Sequence, residues 1–197
     1  MEYNLDLVTA DIMHKSAEDA YINYNWWRKD FENGRSAGRR FSELPVLQDY
    51  PRFRGFGADY SVFRGLKAEQ IEELRKRLLS IRQPESVADL LAKIANLTGG
   101  TTRISMASKL LALWAPHKFP MWDELARAGL KSLHGRARGH CYSQTTAKHY
   151  EIFRDDFFHL YDQLAPELLQ KTTEYQGKVD PKIFTYRILD NVLMSLA

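Results

Sequence analysis

Three observations predict an all-α fold. Apolar residues recur at three- and four-residue spacing along most of the chain. Gly34, Pro84, the pair Gly99-Gly100, Pro116 and Gly135 fall between those periodic runs, where helices should stop. The one irregular region, 34–65, shows no alternation of the kind a half-buried strand requires. With 197 residues, 44% of them hydrophobic and 27% charged, the chain is long enough to bury a substantial core as a single helical domain, 1–197.

Composition narrows the class further. No apolar run approaches the roughly 18 residues a membrane span needs. The start, Met1-Glu2-Tyr3-Asn4-Leu5-Asp6, lacks an apolar signal region, so the expectation is a cytoplasmic, monomeric protein with no membrane partner. The single cysteine, Cys141, excludes an internal disulfide framework. His134, His140 and His149 follow no common zinc-ligand spacing, so neither a metal nor a cofactor is expected.

In chain order, residues 5–14 fit a short helix, and a second is expected from Ser16 to about Asn33, before Gly34. This second helix carries Tyr21, Tyr24, Trp26 and Trp27, a dense aromatic set that either fills core or lines a pocket. Region 34–65 should hold loops and short helices. Between Arg28 and Lys67 stand nine basic residues against five acidic ones. Arg35, Arg39, Arg40, Arg52 and Arg54 alternate there with Phe41, Tyr50, Phe53 and Phe56. Guanidinium groups bind phosphate and aromatic faces stack on bases, so the pattern is either a nucleic-acid surface or a solvated basic face beside core aromatics.

Lys67–Ile81 is amphipathic, with Ile71, Leu74, Leu78 and Leu79 inward, and Pro84 breaks it. Glu85 or Ser86 opens the next helix, whose stripe is Val87, Leu90, Leu91 and Ile94. The pair Gly99-Gly100 turns the chain, and Thr101 or Thr102 can cap a helix built on Ile104, Ala107, Leu110, Leu111 and Trp114. Pro116 ends that helix. The connection Phe119-Pro120-Met121-Trp122 then delivers Asp123 to the start of another, which runs to Gly135. A carboxylate at that place faces the positive end of a helix macrodipole. Residues 131–149 hold Lys131, Arg136, Arg138 and Lys148 with no acid, as phosphate binding would require. Ser143 is positioned to cap a long helix through Tyr161. Asp180-Pro181 supplies an N-cap and a first-turn proline for the last one.

The stretch Asn96–Leu130, a glycine turn between helices followed by an acid at a helix start, resembles the core of the helix-hairpin-helix DNA glycosylases. Asp123 stands 18 residues after Ser105, the family's spacing between its early-helix position and its aspartate. The pattern Ala107-Ser108-Lys109-Leu110-Leu111…Asp123 is most similar to bacterial 8-oxoguanine DNA glycosylase-like proteins. The resemblance covers about 35 residues within a hairpin-like core at about 86–133. It implies hydrolysis of the N-glycosidic bond of a modified or damaged base flipped out of DNA, in repair or in defence against modified phage DNA. Asp123 would stabilise the cationic sugar and orient water. Ser105 stands where bifunctional members carry lysine, which implies a monofunctional enzyme.

Lys109, one turn beyond Ser105, would contact a phosphate, pair with Asp123 or act as an amine nucleophile. The hairpin residues Thr98, Gly99, Gly100, Thr101 and Arg103 would meet the DNA backbone. Trp122, Trp26 and Trp27 are the candidate walls of a base pocket. The adjacent glycines replace the family's Gly-x-Gly. That departure fits the alternative of a catalytically inactive nucleic-acid-binding protein or a helical interaction module.

Overall fold

The computed structural model describes residues 3–24, 39–98, 103–134, 142 and 145–197. Trp26, Trp27, Arg35, Gly99, Gly100, Thr101, Thr102, Arg136, Arg138 and Ser143 lie outside the described residues. The described residues form helices, short 3-10 turns and loops, with no strand among them. The fold is all-α, as the periodicity predicts.

The helices in order are α1 (Ala10–Ile22), α2 (Pro45–Gln48), α3 (Tyr50–Asp59), α4 (Ala68–Leu79), α5 (Val87–Ile94), α6 (Ile104–Trp114), α7 (Glu124–His134), α8 (Ala147–Thr172) and α9 (Pro181–Ser195). Helix α1 corrects the expected division near Ser16. Thr9 caps it by accepting the Ile12 N–H, and Ser16 is fully buried in mid-helix. A hydroxyl facing the core offers no cap, so the start moves to the first Thr in extended conformation. At the other expected starts the caps are Ser86, which accepts the Asp89 N–H, and Asp180, which accepts the Lys182 and Ile183 N–H groups. Thr146 caps α8 by accepting the His149 N–H.

Two helices are buried nearly all round. In α6 only Ser105 and Trp114 reach solvent appreciably, and in α9 the run Ile183–Leu193 is buried apart from Tyr186. A helix without a polar face belongs in the middle of a core. Accordingly α9 packs against α1, α7 and α8, while α5 and α6 form an adjacent pair and α2–α4 pack together beside them. At the α7–α9 crossing, a Cβ on Gly129 would fall 1.8 Å from the Leu193 carbonyl oxygen, so the two backbones meet where only glycine fits. The N-terminal segment is fastened by Asn4 N–H to the Leu133 carbonyl at 3.0 Å and Tyr3 hydroxyl to the Asp156 carbonyl at 2.7 Å. Tyr24 is buried edge-on to Phe184, its hydroxyl accepting the Asp180 N–H, so this member of the aromatic set serves packing.

Candidate functional site

The two central helices carry polar groups into the interior, and those groups converge. Lys109 projects from α6 and is only 5% exposed. Residues 115–123 return the chain across it. The bonds that hold this connection include Lys118 N–H and Phe119 N–H to the Ala115 carbonyl, Tyr150 hydroxyl to the Pro120 carbonyl at 3.1 Å, and Trp122 N–H to the Ser108 Oγ at 3.0 Å. Ser108 is one residue before Lys109, so this last bond registers Asp123 directly against the lysine. Lys109 Nζ donates to Asp123 Oδ2 at 3.0 Å.

Asp123 also starts α7, as its place in the sequence predicts. Its Oδ1 accepts the Leu125 N–H at 3.1 Å and its carbonyl accepts the Arg127 N–H. Both carboxylate oxygens are therefore oriented, one by the ammonium and one by the helix end. The side chain remains 30% exposed, which leaves it open to a ligand.

Lys109 and Asp123 line a cavity of about 750 Å³, within the range of small-molecule sites. Arg52, Asp59, Tyr60 and Ser61 come to it from α3 and the following turn, and Arg187, Asp190 and Asn191 from α9. The Lys109 ammonium sits 5.4 Å from the Tyr60 ring centre, in cation–π range. Ser61 has φ 52°, the left-handed region that few residues with a Cβ adopt. Such conformations persist where surrounding structure imposes them, often at binding sites.

The electrostatics divide the two nearest acids. Arg187 donates to Asp190 Oδ2 at 2.5 Å and reaches the Met121 sulfur at 3.3 Å. Burial nevertheless pushes the Asp190 carboxyl above its ordinary value; Arg187 opposes that shift and the charge of Asp123 adds to it. Burial thus favours the neutral form of Asp190 while the Arg187 guanidinium favours the ionised one. Burial likewise raises the Tyr60 phenol, against the pull of Arg187. Two carboxyl groups in unlike surroundings, one partly exposed and one buried against Arg187, therefore share one cavity.

Several expected site residues are placed elsewhere. Ser105 does not line the cavity; its carbonyl accepts the Ser108 hydroxyl at 3.0 Å. Trp122 is 2% exposed and packs on Tyr150 and Phe153, with the Arg127 guanidinium 4.7 Å over its ring. An indole of that size fills the core beneath Asp123 and offers no face to a base. Thr98 is buried and donates to the Ala95 carbonyl, while Arg103 donates to the Arg64 carbonyl at 2.9 Å. Both bonds go to the chain's own backbone, that of Thr98 in the turn after α5 and that of Arg103 just before α6.

Of the arginines, Arg52 lines the cavity and Arg54 is exposed. Arg40 is exposed and near Glu43, and Arg39 donates to the Leu113 carbonyl at the end of α6. Phe41, Phe53 and Phe56 are fully buried core, while Tyr50 is partly buried and its hydroxyl donates to the Ala68 carbonyl at 3.2 Å, so three of the four aromatics in that pattern serve packing. Tyr60, Arg187 and Asp190 were not singled out by sequence reasoning. The available signal was Arg187, Asp190 and Asn191 at helical spacing beside the stripe of α9, ionisable groups on a helix destined for the core.

Among the described residues no group of three or more His, Cys, Asp or Glu side chains is arranged to hold a metal ion, and no helix is long and apolar enough to cross a membrane. Compared with family models, curated proteins and solved structures, the chain finds no match.

Proposed function

We propose that the chain is a DNA glycosylase that hydrolyses the N-glycosidic bond of a modified or damaged base. The observation that carries this reading is the oriented Asp123 carboxylate, 3.0 Å from the Lys109 ammonium, on the wall of a cavity of about 750 Å³. Breaking the bond between sugar and base leaves positive charge on the sugar. A fixed carboxylate at the cavity wall stabilises that charge and directs the water that attacks it.

Within this reading the other groups have distinct tasks. Lys109 holds one oxygen of Asp123 and the helix end holds the other, so the carboxylate needs no reorganisation as charge develops. Arg187 and Asp190, paired on the same cavity wall, supply polar groups beside the departing base. The base must leave the duplex to enter such a cavity. Arg52 at the lining and the exposed Arg40 and Arg54 contribute positive charge for the phosphate backbone.

The test is incubation with duplex DNAs that each carry one base modification, followed by detection of abasic sites. Release of one or a few modified bases, with unmodified DNA left intact, is the expected result. Salt-dependent DNA binding without any abasic product would favour a binding module instead, and absence of both would favour a helical interaction protein.

A further inference from the structure

A second cavity, of about 610 Å³, opens at the far end of α6, and its lining shares no residue with the first. Three elements contribute to both. Helix α6 gives Lys109 to the first cavity and Trp114 to the second. The returning connection gives Met121 and Asp123 to the first, Phe119 to the second. Helix α9 gives Arg187 and Asp190 to the first, Ile183 and Tyr186 to the second.

Aromatic rings in fixed orientations form much of its lining. The Trp114 indole N–H donates to the Arg39 carbonyl at 2.8 Å, and the ring stacks with Phe119 at 6.2 Å and 22°. Tyr186 is stacked on Tyr161 at 4.5 Å and met edge-on by Phe158. Burial first, then Tyr161, pushes its phenol up to about 12, so it keeps its hydroxyl proton at neutral pH. Trp114 and Tyr186 are only partly buried, so each presents some ring surface to a ligand.

Charge at this cavity is positive at the edge. His117, Lys118 and Lys182 all line it and all are exposed. Partial burial, and then the ammonium groups of Lys118 and Lys182, hold the His117 imidazole below its ordinary value, which reports a positive field at that edge. Of the two lining carboxylates, Asp180 is committed to the α9 N–H groups of Lys182 and Ile183. Glu85 is exposed at the lining.

We propose that this second cavity binds a single nucleotide unit, its planar base on the Trp114–Tyr186 wall and its phosphate on Lys118, Lys182 and His117. Aromatic faces take any base, and paired lysines at an open rim take one phosphate. The unit is either a free nucleotide or the 5′ end of a strand. The site stands whether or not Asp123 is catalytic, since it uses none of that cavity's residues.

The test is titration of the intact protein with dAMP, deoxyadenosine and inorganic phosphate, read by binding heat and tryptophan fluorescence. Saturable dAMP binding is expected, at least about tenfold tighter than deoxyadenosine or phosphate alone. The fluorescence response should vanish in Trp114→Phe. A double variant, Lys118→Glu with Lys182→Glu, changes only exposed side chains and should weaken dAMP at least about tenfold, while Lys109→Met leaves it unchanged. A 5′-phosphorylated adenine trinucleotide that binds more tightly than dAMP identifies a strand end; equal affinity identifies the free nucleotide. Absence of saturable dAMP binding overturns the proposal. So does phosphate binding as well as dAMP, or affinity lost in Lys109→Met but kept in the double variant.

Discussion

Lys109 and Asp123 form an ion pair whose two members are buried to different depths: the lysine side chain is 7% exposed and the aspartate 30%. Removing one partner is therefore not equivalent to removing the other. Considered as a helix cap alone, Asp123→Asn should cost almost nothing, because Asn caps as well as Asp. The ion pair reverses that expectation, since the substitution strands a buried ammonium. We expect a loss of about 2–4 kcal/mol for Asp123→Asn and about 1 kcal/mol for Lys109→Met, which leaves a carboxylate that water can reach. Urea denaturation of the two variants checks this. A greater loss in Lys109→Met would show that the carboxylate, not the ammonium, is the group that depends on its partner.

Gly129→Ala tests the crossing of α7 and α9. In an exposed helix this change gains up to about 1 kcal/mol through backbone entropy. Here the new Cβ would lie 1.8 Å from the Leu193 carbonyl oxygen, a backbone atom that cannot swing aside. Steric overlap must separate the two helices, so a net destabilisation of about 3 kcal/mol or more is expected. Thermal or denaturant unfolding measures it, and an unchanged or raised midpoint would mean that the two backbones are farther apart.

How much of this was legible in the sequence varies with the kind of signal. Helix α9 was visible through Asp180-Pro181 and its apolar stripe, because capping and periodicity are local. The arrival of Asp123 at a helix start was equally local. Its contact with Lys109 was one of several options that spacing left open. What decided it was the Ser108–Trp122 bond, made across 14 residues by a serine that spacing does not distinguish from its neighbours. Trp122 and Phe53 were ambiguous for another reason: an aromatic ring has the same local signature whether it stacks on a ligand or fills a core. Arg187 and Asp190 look like a surface i,i+3 pair until α1, α7 and α8 are packed around α9.

Asp190 predicts a pH dependence of stability. Its carboxyl is raised in the folded protein, chiefly by burial, so the folded state holds the proton more tightly than the unfolded chain. The stability this contributes is complete below the ordinary carboxylate range. It is lost as pH rises through that range to the raised folded value. Asn mimics the protonated form and has no such loss. The stability of Asp190→Asn relative to the unsubstituted protein should therefore improve as pH rises from about 4 to 8. Denaturant unfolding of both proteins across that interval is the measurement. Parallel curves would mean that Arg187 compensates the buried charge completely.

The proposed reaction makes its sharpest demand on Asp123 and Lys109 together. If Asp123 stabilises the cationic sugar, Asp123→Asn should lower base release by orders of magnitude, since a preorganised electrostatic contact of this kind is worth about 3–4 kcal/mol. The stability cost predicted above must be separated from that loss, so single-turnover release is compared well below the variant's unfolding midpoint. Lys109→Met keeps the carboxylate but frees one of its oxygens, and a smaller fall in the rate of release is expected. Ser105→Ala, away from the cavity, should leave the rate near that of the unsubstituted protein. If Lys109 serves to hold Asp123 and not to attack the sugar, borohydride should trap no protein–DNA adduct during turnover. An adduct that forms in the unsubstituted protein and disappears in Lys109→Met would make the lysine the nucleophile and remove the hydrolytic role from Asp123.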